Sequence, residues 1–236
     1  VEQFRGETEV KAVTTESGKI IKSDLVLTSM GISPETELAE KAGIKIGKTG
    51  AIRVNEKMET SAQDIYAAGD CAESKNLITG EAVWVPLGST ANKQGRVAGQ
   101  NAAGGQNYHR GITKTSITKI FELGAARTGL SEAEANSFGF ETASVKIKAA
   151  NHAGYYPGLK PVHLKGIFDR NTGRLLGAEA IGKQGADKRI DVLSTAIYSK
   201  LTAHDLFQVD LAYAPPYSTP KDPVAILGMI AKKKLS

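Results

Sequence analysis

The strongest constraint in this sequence is the segment 60–70, in which a β-prone run, Ile-Tyr-Ala-Ala, ends in Gly-Asp. The run favours an extended strand, and Gly69 permits a tight turn and a close approach of the backbone to a ligand. A carboxylate at the carboxyl end of a strand lies at the rim of an α/β sheet, so Asp70 is placed to accept hydrogen bonds from sugar-like hydroxyls. The alternative is an ordinary strand–turn junction with a helix-capping Asp. The eleven-residue pattern is more specific than Gly-Asp alone, and we interpret it as a ligand site.

Composition narrows the class of protein. Of the 236 residues, 41 % are hydrophobic and 23 % charged, which is typical of a globular protein and excludes a disordered one. No apolar run approaches the ~18 residues of a membrane span, and the opening residues give no signal-peptide pattern. A single cysteine, Cys71, permits no internal disulfide and predicts a cytoplasmic protein. We expect no membrane partner.

The charge pattern and the histidines limit the possible ligands. The net charge of +5 is explained by a solvated surface or, alternatively, by a site for a polyanionic small molecule. No basic helix with interleaved aromatic residues is present, so we expect no nucleic-acid partner. The four histidines show no metal-ligand spacing, and we predict no metal site.

Hydrophobic periodicity and turn residues predict two parts that meet near residue 110. In the first part, strands are predicted over 9–15, 20–28 and 65–68, and helices over 35–42 and 90–103. In the second part, strands are predicted over 112–121 and 142–149, a hairpin over 162–181, and helices over 187–200 and 223–231. Ser131 and Glu134 predict a capping box for one further short helix. Strands followed by segregated helices indicate an α+β second part.

Several further segments carry a family resemblance that covers the chain from residue 1 to about 230. Together with 60–70, they resemble pyridine nucleotide-disulfide oxidoreductases, in the branch of coenzyme A-disulfide reductases and their persulfide-reducing relatives; the segments are 25–34, 85–99, 151–157, 186–192 and 210–222. The resemblance implies an α/β part of a two-dinucleotide-binding-domain flavoprotein, followed by an α+β dimerisation domain. Residues 1–33 would end the NAD(P)H-binding domain and return the chain to the FAD-binding domain. Residues 34–110 would complete the FAD-binding domain, and 111–236 would be the dimerisation domain of a homodimer.

The same resemblance implies a set of FAD contacts. Asp70 would hold the ribityl chain, and the helix that begins near residue 88 would point its N-terminus at the flavin pyrimidine. Reduced flavin carries negative charge near N1 and O2, which the positive end of a helix stabilises. The implied contacts are Thr60, Gly69, Asp70, Cys71, Ala72, Pro86, Leu87, Gly88, Ser89 and Thr90. We interpret the Cys71 thiol itself as structural, because the family's reactive cysteine lies far upstream.

Catalytic and substrate contacts are also implied by the family. Tyr155 and Tyr213 match tyrosines that reach the redox cysteine of the opposite subunit, and Lys221 matches a lysine that contacts the substrate. A phenol is a neutral donor suited to a thiolate or persulfide, and a lysine suits a phosphate. Asn92 stands where some members carry a substrate-contacting His. Alternatively, the tyrosines are ordinary interface aromatics, and we interpret His152 as a satisfied interface histidine.

Two family features are missing from the sequence. No Gly-x-Gly-x-x-Gly follows a strand, and no active-site cysteine motif is present, so this chain alone is expected to be inactive. The intact enzyme would pass hydride from NAD(P)H through FAD and a cysteine to coenzyme A disulfide or a related disulfide or persulfide. The alternatives are an NADH oxidase, a peroxidase or a polysulfide reductase on the same scaffold, or a non-catalytic dimerisation module.

Overall fold

The computed structural model describes residues 1–236, which divide into two compact units, 1–33 and 34–236. The first unit is a three-stranded antiparallel sheet in the order β1-β2-β3, formed by β1 (Gln3–Arg5), β2 (Ala12–Thr14) and β3 (Ile20–Lys22). The strand predicted over 20–28 ends at Lys22. Residues 24–28 pair with no other strand, and Leu25 and Leu27 are 86 % and 87 % exposed. Isolated extended segments gain no ladder hydrogen bonds, which explains why that part of the prediction is wrong.

The first part of the second unit contains few regular elements. These are α1 (Glu37–Lys41), β4 (Ser74–Lys75), β5 (Ala82–Val83) and α2 (Gly88–Ala102). The predicted strand over 65–68 is wrong as a regular strand, because only a single bridge joins Tyr66 to Glu59. No parallel sheet forms, since the only parallel pairings are the bridges Ile52–Ala72 and Asn76–Ile112. These residues therefore hold no doubly wound sheet of their own.

The second part is built on a five-stranded antiparallel sheet in the order β6-β7-β10-β9-β8. Its strands are β6 (Ser116–Ile120), β7 (Leu123–Gly129), β8 (Thr142–Ala150), β9 (Pro161–Asp169) and β10 (Leu175–Gly182). The predicted β9–β10 hairpin is confirmed. The strand predicted over 112–121 is confirmed over Ser116–Ile120 as β6. Its neighbour β7, which pairs with it across a tight turn, was not predicted, because that turn contains no Gly or Pro. Phe121 occupies the left-handed region there, at a φ of 52°.

Four helices accompany this sheet: α3 (Glu132–Ser137), α4 (Ala186–Tyr198), α5 (Ala203–Gln208) and α6 (Pro223–Leu235). The capping box of Ser131 and Glu134 is confirmed, whereas α5 was not predicted. Along α4, the periodic residues Ile190, Leu193 and Ile197 are buried against the sheet, as their spacing predicted. The α+β assignment of the second part is thereby confirmed.

Two loops of this second part carry the residues of interest. One, 151–160, connects β8 to β9, and the other, 209–222, connects α5 to α6. The N-terminal residue of α4 follows Gly185, which lies in the left-handed region at a φ of 82°. None of the helices is long and apolar enough to cross a membrane, and no cluster of His, Cys, Asp and Glu side chains has the arrangement of a metal site.

Candidate functional site

The Gly-Asp turn presents a free carboxylate. Gly69 has a φ of +84°, so the left-handed turn favours glycine at this position. Asp70 is exposed, and its carboxylate takes part in no hydrogen bond or ion pair of the chain. Only its backbone oxygen is engaged, as the acceptor for Trp84 Nε1 at 2.7 Å. The turn therefore holds a carboxylate whose oxygens are available to hydroxyl donors.

A buried glutamine connects this turn to α2. Gln94 is fully buried; its Oε1 accepts the Gly69 amide at 2.9 Å, and its Nε2 donates to the Glu73 carbonyl at 2.9 Å. The residues before and after Asp70 are thus held by one side chain of the helix. Sequence reasoning missed Gln94. Thr90, Gln94 and Ala98 recur at helical spacing, and all three lie on the buried face of α2. This spacing could have indicated that the Gln94 side chain is buried.

The N-terminus of α2 is open to an anion. Leu87, its N-cap, is extended and supplies no capping side chain, and the first turn contains no acidic residue. Among the first amides, those of Thr90 and Ala91 donate to the Leu87 carbonyl, whereas those of Gly88 and Ser89 find no acceptor within the chain. Unpaired amides at the positive end of a helix attract negative charge. This terminus can stabilise the charge that develops on a reduced flavin pyrimidine.

The remaining predicted FAD contacts have mixed surroundings. The Thr60 hydroxyl is used within its own turn, where it accepts the Ala62 amide at 3.2 Å. Ala72 is 4 % exposed, and its amide donates to the Gly69 carbonyl. Cys71 is half-buried and packs against a small apolar cluster that includes Ile44 and Ile52. Thr60, Cys71 and Ala72 therefore contribute to the structure around the Gly-Asp turn. Pro86 and Leu87 are half-buried and lead into α2.

The arrangement fits part of an FAD site. An exposed carboxylate without a partner suits the hydroxyls of a ribityl chain, and an uncapped helix N-terminus suits the pyrimidine edge of the flavin. The two features are held together by Gln94 and Trp84, as their hydrogen bonds show. Asp70 and the α2 N-terminus are therefore the parts of this chain that would hold the cofactor.

The structure brings the two predicted tyrosines together. The hydroxyl oxygens of Tyr155 and Tyr213 are 3.5 Å apart, although the residues are 58 positions apart in sequence. Both side chains are exposed, at 78 % and 46 %. The hydrogen bond with Tyr155 raises the pKa of Tyr213 above its usual value. Their loops also meet through the backbone, because the Ala153 amide donates to the Pro215 carbonyl at 3.2 Å.

Lys221 and Asn92 lie apart from the tyrosine hydroxyls. Lys221 is exposed in the same loop as Tyr213, and only its carbonyl is engaged, by the Thr219 hydroxyl at 2.6 Å. Asn92 is exposed on α2, and its side chain makes no hydrogen bond within the chain. His152 is buried, with Nδ1 3.1 Å from the Ala153 carbonyl and its ring edge-to-face with Tyr156. One ring nitrogen therefore has a partner within the chain, and the interpretation of His152 as an interface histidine stays a prediction.

Comparison with known proteins connects both parts of the site to one family. Residues 1–137 match the pyridine nucleotide-disulphide oxidoreductase family, and residues 115–223 match the dimerisation domain of that family. The first match covers more than half of the chain. The second contains Tyr155, Tyr213 and Lys221.

Individual relatives agree with this assignment. The chain is 45 % identical over 229 residues to an NAD(P)H sulfur oxidoreductase (CoA-dependent) of Pyrococcus furiosus, covering 97 % of this chain and 51 % of the relative. It is 37 % identical over 221 residues to a coenzyme A disulfide reductase of Staphylococcus aureus, covering 93 % of this chain and 50 % of the relative. The solved structure of an NAD-dependent persulfide reductase from A. fulgidus superposes with a TM-score of 0.91 at 43 % identity, covering 97 % of this chain and 42 % of that one.

The chain spans about half the length of the curated relatives it matches. Within that span the resemblance is continuous, from the Gly-Asp turn through α2 to the two tyrosine loops. This chain belongs to the pyridine nucleotide-disulphide oxidoreductase family, close to the CoA-dependent sulfur and persulfide reductases and the coenzyme A disulfide reductases.

Proposed function

We propose that this chain supplies the second half of an FAD-dependent enzyme that uses NAD(P)H to reduce coenzyme A disulfide or a related disulfide or persulfide. The observation that carries the proposal is the pairing of the Tyr155 and Tyr213 hydroxyls at 3.5 Å on an exposed surface. Two neutral donors at one point suit a thiolate or persulfide, whose charge they hold without the cost of burying a cation. The NAD(P)H site and the reactive cysteine are proposed to come from a part of the protein outside this chain, since the chain spans about half the length of its relatives.

Each part of this chain has a distinct task in the proposed enzyme. The chemistry that bound FAD would supply is the uptake of a hydride from NAD(P)H and the transfer of its two electrons to a cysteine. Asp70 would accept hydrogen bonds from the ribityl hydroxyls, and the free amides of Gly88 and Ser89 would hold negative charge at the pyrimidine edge. Tyr155 and Tyr213 would donate to the sulfur of the partner subunit, and Lys221 would pair with a substrate phosphate.

The proposed role of the tyrosine pair calls for a second subunit, because the family resemblance places the redox cysteine that the tyrosines reach on the opposite subunit. The dimerisation-domain match supports a homodimer through residues 111–236. Obligate interfaces of this kind bury more than about 2,000 Å² and are apolar. In the proposed dimer, each tyrosine pair serves the redox cysteine of the other subunit.

Stopped-flow spectroscopy of the full-length protein that contains this chain tests the proposal. The protein is expected to bind flavin, to be bleached anaerobically by NADH or NADPH, and to regain its colour fastest with coenzyme A disulfide or coenzyme A persulfide. Hydrogen peroxide and oxygen are the matched alternative acceptors. Faster reoxidation by oxygen or peroxide would identify an oxidase or peroxidase. A protein that binds no flavin would leave only a dimerisation module.

A further inference from the structure

The second part of the chain contains a buried arginine that the proposed chemistry does not use. Arg189, on the first turn of α4, is 2 % exposed, and Asp222 pairs with it at 2.8 Å between Nη2 and Oδ2. Arg189 Nε also lies 3.4 Å from Asp222 Oδ1. An arginine that is withdrawn from water keeps its charge, so its hydrogen bonds to fixed partners define its position closely.

The remaining bonds of Arg189 reach the two loops of the site. Its Nη2 donates to the Asn151 carbonyl at 2.9 Å, at the start of the loop that carries Tyr155. The same nitrogen lies 3.3 Å from Ser218 Oγ, in the loop that carries Tyr213. Ser218 in turn donates to Asp222 Oδ2 at 2.6 Å. One guanidinium group therefore fixes the start of one tyrosine loop and the end of the other.

The surroundings of the guanidinium are built to hold it in this place. Nη1 donates to the Gly185 carbonyl at 3.3 Å, and a Cβ at Gly185 would lie 2.3 Å from Nη1, so a side chain there would displace the arginine. Asp222 accepts the Val224 amide at 2.9 Å, which caps α6. Burial would raise the pKa of Asp222, but the hydrogen bonds from Ser218, Val224 and Arg189 keep its pKa below the usual value.

We propose that Arg189, with Ser218 and Asp222, is a positioning device that sets the distance between the Tyr155 and Tyr213 hydroxyls. The direct contact between the tyrosines is a single 3.5 Å approach of two exposed side chains, which is too weak to order two loops by itself. Arg189 acts through the loop backbones and touches neither phenol. The role of the pair in sulfur chemistry rests on the proposed function, but the positioning effect does not.

Fluorine NMR of the chain labelled with 3-fluorotyrosine tests the positioning directly. Tyr155→Phe and Tyr213→Phe assign the two signals. The readout is the shift of the Tyr213 signal that Tyr155→Phe causes. We expect a clear shift in the parent chain and its loss in an Arg189→Lys background, because a lysine keeps the charge against Asp222 but has no planar fork to reach all four partners of the arginine. Arg127→Lys, the same substitution at an exposed arginine of β7, is the matched control and should keep the shift.

A full shift in folded Arg189→Lys would overturn the proposal. If circular dichroism shows that this variant is unfolded, Ser218→Ala decides the question, because it removes one member of the device and keeps the ion pair. A reduced shift in Ser218→Ala supports positioning by this cluster, and an unchanged shift refutes it. Since the measurement needs no flavin or acceptor, its result is independent of whether the full-length protein reduces disulfides. Stopped flow on the full-length Arg189→Lys protein should then show slower reoxidation by the disulfide and unchanged reduction by NAD(P)H.

Discussion

Gln94→Leu tests the connection between the Gly-Asp turn and α2. Leucine has a similar size but forms neither of the two hydrogen bonds, so the Gly69 amide and the Glu73 carbonyl lose a partner that is fully buried. Each unsatisfied buried group costs about 1–3 kcal/mol. Burial of the leucine side chain recovers roughly 1.5–3 kcal/mol. The net loss expected is about 1–3 kcal/mol.

Urea denaturation followed by circular dichroism measures this loss as a lower unfolding midpoint. In a thermal melt of a chain of this length, the expected loss corresponds to a fall of roughly 2–12 °C in Tm. The matched control is Gln100→Leu, the same substitution at an exposed position of the same helix, which should change stability by less than about 0.5 kcal/mol. Equal midpoints for Gln94→Leu and Gln100→Leu would refute the reasoning. Flavin retention by the full-length Gln94→Leu protein should also fall, because the turn that presents Asp70 is no longer held.

Three further predictions concern single groups. Asp70→Ala in the full-length protein should weaken FAD binding by about 10- to 100-fold, because the ribityl hydroxyls lose a charged hydrogen-bond acceptor. Unchanged affinity in a flavin titration would contradict this prediction. Desolvation opposes ionisation of Glu134, but its bonds to Lys114 and Ser131 lower its pKa from 4.5 to about 2. The stability that ionised Glu134 contributes is therefore present above about pH 4.5 and is lost as the pH falls towards 2. The difference in urea midpoint between the parent chain and Glu134→Gln should close over that range. Tyr155→Phe should lower the pKa of Tyr213, which a phenolate absorbance titration against Tyr213→Phe measures, and no change would show that the two hydroxyls do not interact.

Local sequence signals predicted the second part of the chain well. The capping box of Ser131 and Glu134 formed as expected, and the β9–β10 turn is fixed by Asp169, which accepts the Asn171 amide at 3.1 Å and the Thr172 hydroxyl at 2.6 Å. These contacts join residues two or three positions apart, and the residue types themselves specify them. The periodic burial along α4 follows for the same reason.

The contacts that organise the site could not be predicted in this way. Gln94 bonds to Gly69 across 25 positions, and Arg189 bonds to Asn151 across 38, so their pairing depends on the completed fold. The turn at Phe121 was missed because a left-handed aromatic residue is unusual. The strand predicted over 20–28 failed from residue 24 onward, since strand propensity alone does not supply a neighbouring strand. The tyrosine pair was expected from family resemblance, whereas the contact between its two hydroxyls came only from the structure.

Rapid mixing of the full-length Tyr213→Phe protein tests the central claim most directly. The substitution removes one hydroxyl and keeps the ring, so it isolates the hydrogen bond from packing. If that bond is stronger in the transition state of sulfur exchange, reoxidation by coenzyme A disulfide or persulfide should slow by ~10²-fold, the effect of deleting one oxyanion donor. Reduction of the flavin by NAD(P)H should keep the parent rate. Reoxidation at the parent rate would make Tyr213 an interface aromatic and would contradict the assignment of the tyrosine pair to the sulfur chemistry.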